Sequence, residues 1–331
     1  MRKLGWVAAP LVALACLAMS APASPAAVGD PLRNLQWGLA KVQAPQAWAV
    51  TRGAGAVVAV LDTGIDLTHP DLAANVLTTG HDFVDNDNTP QDQHGHGTHV
   101  AGIAAAVADN GIGGSGVAPA AKILPVRVLD ANGEGDADRI AAGIRYATAH
   151  HANVISLSLG EDTALGTAGT VLGMNDDLHA AIAEAWKAGA VIVVAAGNQS
   201  APLCAEPAAA ANVICVGATD KNDTPSYFSN SGTNSSNYVT APGGAALLFC
   251  EDDIVSTYLR SKTPSVCSPA AGYDYMAGTS MAAPFVSGEA ALLASRGLRN
   301  AAIVACIKRT ADHLTAASPG RINANRAVHS C

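Results

Sequence analysis

Three stretches carry side chains that could do nucleophilic chemistry together. DQHGHGTHVAG, residues 92 to 102, places His94, His96 and His99 within six residues. GTSMAAP, residues 278 to 284, sets Ser280 behind Gly-Thr and ahead of an apolar run. VLDTGID, residues 60 to 66, ends an apolar run on Asp62. A serine hydroxyl is a weak nucleophile until a base takes its proton, and an imidazole base needs a carboxylate to hold its tautomer. A helix start adds free backbone N–H groups and positive potential, which suit a developing oxyanion. The pattern therefore reads as acyl transfer with chain order Asp, His, Ser. Each motif has a blander reading: Ser280 as a helix cap, Asp62 as a strand-end cap to the Gly64 turn, the histidines as a metal cluster. The histidines lack the HExxH spacing that a catalytic zinc site on a helix would show.

Such residues need a scaffold to hold them. Runs rich in valine and isoleucine recur at VVAVLD (57–62), KILPVRVLD (122–130), NVISLSL (153–159), AVIVVAAG (190–197) and NVICVGAT (212–219). Near-continuous hydrophobicity marks strands buried on both faces. Helical patterns follow the first three runs, over 98–108, 136–150 and 175–189. In the second, Ile140, Ile144 and Ala147 fall at helical intervals, with Asp136 or Asp138 near the start. A longer small-residue pattern runs from Ser280 to Gly297. This alternation predicts an α/β fold: a mostly parallel central sheet with helices on both faces. Ligands on such sheets bind at the carboxyl ends of strands. That points to Asp62, to Ser158, Leu159 and Gly160, and to Asn198.

The 331 residues are 49% hydrophobic and only 14% charged, enough for a large core, and no linker cuts the chain in two. Aromatics are scarce at 4%, so the core must rest on small aliphatics and close backbone approach. The N-terminus reads as a secretory signal: Arg2 and Lys3, an apolar run of 16 residues from Leu4 to Met19, then Ser20-Ala21-Pro22-Ala23. The run is shorter than the roughly 20 residues of a membrane span. Cleavage after Ala23 removes two positive charges and leaves 17 − 27 = −10. No basic patch is present, which argues against a nucleic-acid partner. Outside the signal lie Cys204, Cys215, Cys250, Cys267, Cys306 and Cys331. An even count in an exported chain favours disulfides, although six cysteines allow about 15 connectivities. Proximity favours Cys204–Cys215, Cys250–Cys267 and Cys306–Cys331; free buried thiols are the alternative.

Taken jointly, VAVLDTGID, HGHGTHVAG, VVAAGN and GTSMAAP make the chain resemble the subtilisin-like serine endopeptidases of the peptidase S8 family, above all the thermitase branch. The resemblance runs from about Asp30 to Gly297. It implies a three-layer fold and a single catalytic domain over residues 24 to 331. It makes Ser280 the nucleophile, His96 the base and Asp62 the orienting carboxylate. His99, one turn on, becomes a packing residue, and His94 lies at the cleft edge. The oxyanion would sit between the Ser280 N–H and the Asn198 side chain. That role argues against reading Asn198-Gln199-Ser200 as a glycosylation site. Substrate would lie extended between the Ser158–Gly160 edge and residues near Gly133 to Gly135, a strand-addition mode. Ala205 aligns with the floor of the pocket for the residue before the cut. Its small apolar walls favour apolar or aromatic residues, whereas Glu161 and Glu206 would favour Lys or Arg.

The resemblance also implies calcium, a hard cation that takes six to eight oxygen ligands. In DFVDNDNTPQ, residues 82 to 91, the positions of one family site fall on Asp82, Asp85, Asp87, Thr89 and Gln91. A second set falls on Asp30, Asp71 and Asn110, with the carbonyls of Val107, Ile112 and Gly114. The expected molecule is a secreted monomer, extracellular or periplasmic, acting on proteins and peptides and free of the membrane once the signal is removed. A catalytically silent peptide-binding pseudoprotease is the competing function. Three departures from the family stand out. Only about a dozen residues separate Ala23 from Leu35, where members carry a pro-segment. EDTALGTAGTVLGMNDD (161–177) reads as an insertion. Phe285 replaces a common histidine, and Glu289 falls inside an apolar helix.

Overall fold

The computed structural model describes residues 29–160, 176–247, 249–313 and 320–331. The expected signal peptide, Glu161 and most of the predicted insertion lie outside the described residues. The strands are β1 (Val57–Asp62), β2 (His81–Asp82), β3 (Lys122–Arg127), β4 (Val154–Leu157), β5 (Val191–Ala195), β6 (Val213–Thr219), β7 (Tyr238–Pro242), β8 (Ile254–Thr257) and β9 (Tyr273–Met276). The helices are α1 (Trp37–Lys41), α2 (Ala44–Ala47), α3 (His96–Ala105), α4 (Ala137–Ala149), α5 (Asp176–Ala188), α6 (Thr279–Ala294), α7 (Asn300–Thr310) and α8 (Ala324–Ser330).

Seven strands form one sheet in the order β2-β3-β1-β4-β5-β6-β7, and every neighbouring pair is parallel. The five predicted strands are present, each within a few residues of its expected span. β8 and β9 pair separately as an antiparallel hairpin. Along β1, Val58 and Val60 point into one core and Ala59 and Leu61 into the other. The first core is capped by α3 and α6 with the terminal helices, the second by α4 and α5. The sheet is therefore buried on both faces, which is why its strands read as continuous apolar runs.

The two layers use different sequence solutions. In α4, Ile140, Ala141, Ile144 and Ala147 are buried along one stripe, and the Asp136 side chain caps the start by accepting from Arg139 N. In α3 every residue from Gly97 to Ala105 is buried, so no polar face exists to give a stripe. Close approach of backbones replaces amphipathicity there. A Cβ on Gly97 would overlap the carbonyl oxygen of Gly64 and come within 3.0 Å of Asp62 Cβ. This glycine is what lets the head of α3 lie against the end of β1.

Candidate active site

Asp62 closes β1 and is fully buried. Its Oδ1 accepts from Thr63 N at 2.8 Å and from His96 Nδ1 at 2.7 Å. The Nδ1 proton is thereby committed to Asp62, and Nε2 is left as the basic atom. Burial works against charge on the imidazole. The Asp62 charge, its hydrogen bond and the more distant charge of Asp92 outweigh that, so the pKa of His96 is raised. His99 behaves differently. Its Nε2 sits 3.0 Å from the Ile254 carbonyl and 3.1 Å from that of Asp274, and burial pushes its pKa down to about 3. It is a neutral donor pinning α3 to the β8–β9 hairpin. His94 is half-buried at the cleft edge, its ring centroid 6.3 Å from that of His96. The three histidines thus have three separate tasks.

Ser280 is the second residue of α6, where no carbonyl of an earlier turn is available to its N–H. Four residues later Pro284 lacks the N–H that would bond the Ser280 carbonyl. Ser158 Oγ donates to that orphaned carbonyl at 2.8 Å. Ser280 Oγ in turn donates to the Ser158 carbonyl at 3.2 Å. The start of α6 is thus tied to the exit of β4. Farther along, Ser287 Oγ and Ser156 Oγ meet at 2.8 Å and fix the same helix to the same strand.

Asn198 follows β5. Its Oδ1 accepts from Thr279 N at 2.9 Å and from Thr279 Oγ1 at 3.0 Å. With the oxygen committed, the Nδ2 donor faces outward. Asn198 and Ser280 line one small pocket with Leu159, Gly160 and Gly197. A larger cavity of about 610 Å³ continues from Leu159 and Gly160 past His94 and His96 to Gly133 and Gly135. The two predicted substrate edges therefore face each other across one cleft. Behind the smaller pocket lies Ala205: a Cβ at Gly197 would come 3.2 Å from its own, and one at Gly160 4.0 Å. Glu206 is engaged with His179, Oε2 to Nε2 at 3.0 Å.

Each of the two predicted calcium sets has an arginine beside it. In the 82–91 loop, Arg127 Nη1 lies 2.7 Å from both Asp82 Oδ2 and Asp85 Oδ2. Asp87 Oδ1 accepts from Thr89 N, and Gln91 Oε1 from Leu67 N. Arg127 thus stands between Asp82 and Asp85, as Arg33 stands 3.0 Å from Asp30 Oδ2 in the second set. Asp30 and Asp71 are buried, and Asn110 Nδ2 donates to Asp71 Oδ1 at 2.7 Å. Burial, with the Asp30 charge adding to it, pushes the Asp71 carboxyl up to about 6. Among the described residues no three His, Cys, Asp or Glu side chains form a metal-binding group. The second set has two carboxylates, an amide and loop carbonyls, an all-oxygen donor set that suits a hard cation.

The disulfides join Cys204 to Cys215, Cys250 to Cys267 and Cys306 to Cys331, the pairings that proximity favoured. Two contributors escaped the sequence reading: the Ser158 hydroxyl and Thr279. Pro284 was the available signal for the first, because a proline inside a helix frees a carbonyl four residues back.

A parallel α/β sheet with a histidine–aspartate pair and a serine at a helix head across one cleft defines a class, the α/β serine hydrolases. Residues 53–327 match the family model described as the subtilase family, Peptidase_S8. Thermitase of Thermoactinomyces vulgaris is 46% identical over 304 residues, 90% of this chain and 98% of that protein. A thermophilic serine proteinase of a Bacillus species is 45% identical over 89% of this chain and 67% of its own length. Among solved structures, a protease of Pseudoalteromonas arctica superposes with a TM-score of 0.79 at 33% identity, covering 92% of this chain and 99% of that one. The chain belongs to the subtilase family and is a subtilisin-like serine protease.

Proposed function

We propose that the protein is a secreted endopeptidase that cuts peptide bonds through an acyl-enzyme formed on Ser280. The observation that carries this reading is the 2.7 Å bond from His96 Nδ1 to Asp62, with Ser280 and Asn198 lining a pocket that shares Leu159 and Gly160 with the cavity beside His96. Substrate pairs along Ser158–Gly160 and takes up the Ser158 carbonyl. That frees the Ser280 hydroxyl, which now donates there. Ser280 Oγ attacks the scissile carbonyl carbon while its proton passes to His96 Nε2. Asp62 stabilises the imidazolium. The oxyanion lies between Ser280 N–H and Asn198 Nδ2. His96 then protonates the leaving amine, and a water repeats the cycle to release the acid. The small side chain of Ala205 and the pairing of Glu206 with His179 support apolar side chains at the pocket beside Ala205.

The signal peptide of residues 1 to 23, the single catalytic domain of 24 to 331 and the extracellular or periplasmic destination belong to the same proposal. They rest on the N-terminal sequence and on the family. Calcium is proposed at Asp30, Asp71 and Asn110 with the nearby carbonyls, where it would screen two buried carboxylates and fix the 107–114 loop. At the 82–91 loop, Asp82, Asp85, Asp87, Thr89 and Gln91 are proposed as another calcium set, in which the ion would share Asp82 and Asp85 with Arg127. The deciding experiment is labelling with a serine-directed phosphonylating reagent, followed by peptide mapping. Modification of Ser280 with loss of casein cleavage is expected. Modification elsewhere, or full activity in Ser280→Ala, overturns the assignment.

A further inference from the structure

Beyond the charge it adds near His96, Asp92 is 4% exposed and accepts five hydrogen bonds. Its Oδ1 takes Thr63 Oγ1 at 2.9 Å and the His94 and Gly95 N–H groups at 2.8 Å each. Its Oδ2 takes Thr98 N at 3.0 Å and Thr98 Oγ1 at 2.6 Å. Thr63 is the residue after Asp62, and its Oγ1 also accepts from Gly97 N, next to His96, at 3.0 Å. Thr98 Oγ1 accepts from Asp66 N at 2.9 Å, and Asp92 N donates to the Ile65 carbonyl at 3.1 Å. Every one of these bonds joins the 62–66 segment to the head of α3 or closes that head on itself.

We propose that Asp92 is a positioning residue for the proton-transfer step, clamping the helix head that carries His96 onto the strand end that carries Asp62 and holding a second negative charge near the imidazole. This rests on the reading of His96 as general base. The N-cap position is Gly95, which has no side chain, and the five donors use both Asp92 oxygens, where a serine, threonine or asparagine offers one. A buried carboxylate without a cationic partner is costly, and these donors are what hold its charge in place. Asp62 and Asp92 are the groups that raise His96 against its burial. The other charged groups nearby are engaged elsewhere or distant in effect. Asp66 pairs with Arg260, Lys262 donates to the His94 carbonyl, and His99 is held neutral. Tyr258, whose ring lies against Gly95, has its pKa raised by burial, then by Asp274 and Asp92.

Two substitutions separate clamp from charge. Asp92→Asn keeps the cap on one side but removes the charge and turns an amide toward Thr98 N–H. Thr63→Val breaks the bridge and keeps the charge. For Asp92→Asn, kcat is expected to fall on the order of tenfold with KM nearly unchanged, and the acid limb of kcat/KM to move down by about half a pH unit or more. For Thr63→Val, kcat falls and the limb stays. In the Ser280→Ala background, NMR titration of the His96 ring should show the same downward shift for Asp92→Asn, independent of turnover. A uniform loss at all pH values with an unmoved limb and unmoved ring titration reduces Asp92 to a helix cap and overturns the proposal. So does an unchanged kcat in Thr63→Val, which remains decisive if Asp92→Asn does not fold. Activity surviving His96→Ala would instead overturn the general-base reading itself.

Discussion

Pro284 acts on a carbonyl one turn away, and Asn198 acts because Thr279 holds its oxygen still. Single side chains thus set the geometry around Ser280. Asn198→Ala should lower kcat about 100- to 1000-fold with little change in KM, a magnitude established on subtilisin. Steady-state kinetics on a peptide anilide would measure it; a loss confined to KM would mean that the amide binds ground state and transition state alike. The raised pKa of His96 has a definite sign. Only neutral imidazole accepts the proton, so a raised value means activity is lost at a higher pH than an ordinary histidine would dictate. The acid limb of kcat/KM should fall above 6.5, and a midpoint below that value would contradict the electrostatics of the site. Asp62, His96 and Ser280 can be proposed from the sequence because each sits in a motif at a strand or helix end. Asp92 stood in plain view four residues before His96, but its role depends on Thr63, across 29 residues of chain. Local pattern does not encode such a partner.

Element α6 carries both Ser280, the proposed nucleophile, and an anomaly. Glu289 lies fully buried in it with neither carboxylate oxygen bonded, and burial, then the charge of Asp312, pushes its pKa up to about 8. The protonated form is the one the fold accepts. Its contribution is therefore complete below the ordinary value of 4.5, fades as pH rises, and is gone above about 8. Glu289→Gln removes the titration. The difference in Tm between variant and wild type should grow from pH 5 to pH 8 and then level off; calorimetry showing a constant difference would sink the idea. The second departure in this helix is simpler. The Phe285 ring fills the space beside Gly38 of α1 and Pro242 of β7. At this scale the long apolar strands and the striped helices α4 and α5 were readable. The two-residue β2, the four-residue β8 and β9, and the short segment at β7 were not, because so few residues establish no period. Helix α3 was placed late by two residues, since a helix buried all round has no polar face to mark its start.

For the molecule as a whole, the proposed calcium site at Asp30, Asp71 and Asn110 would tie segments far apart in the chain, whereas the three disulfides close short loops, with sequence separations of 11, 17 and 25. A ligand bound only to the native state adds RT ln(1 + [L]/Kd), about 2.7 kcal/mol at 100-fold saturation. In a chain of this size that is a rise of several degrees in Tm. Millimolar calcium should raise Tm and a chelator lower it, and Asn110→Ala should shrink the difference; indifference to both would remove both proposed sites. The sheet order has one more consequence. Asp62 ends β1, an inner strand, whereas Ser280 arrives 218 residues later, on a helix packed over strands that must already be in register. Cutting power is thus a late product of synthesis. On the proposed roles, a chain that has not yet been made past Gly278 carries Asp62 and His96 but no Ser280, and should be unable to cut. A fragment ending at residue 270 should neither take up the phosphonyl label nor clear a casein plate, and adding residues 271 to 331 in trans under refolding conditions would test whether arrival alone arms the site.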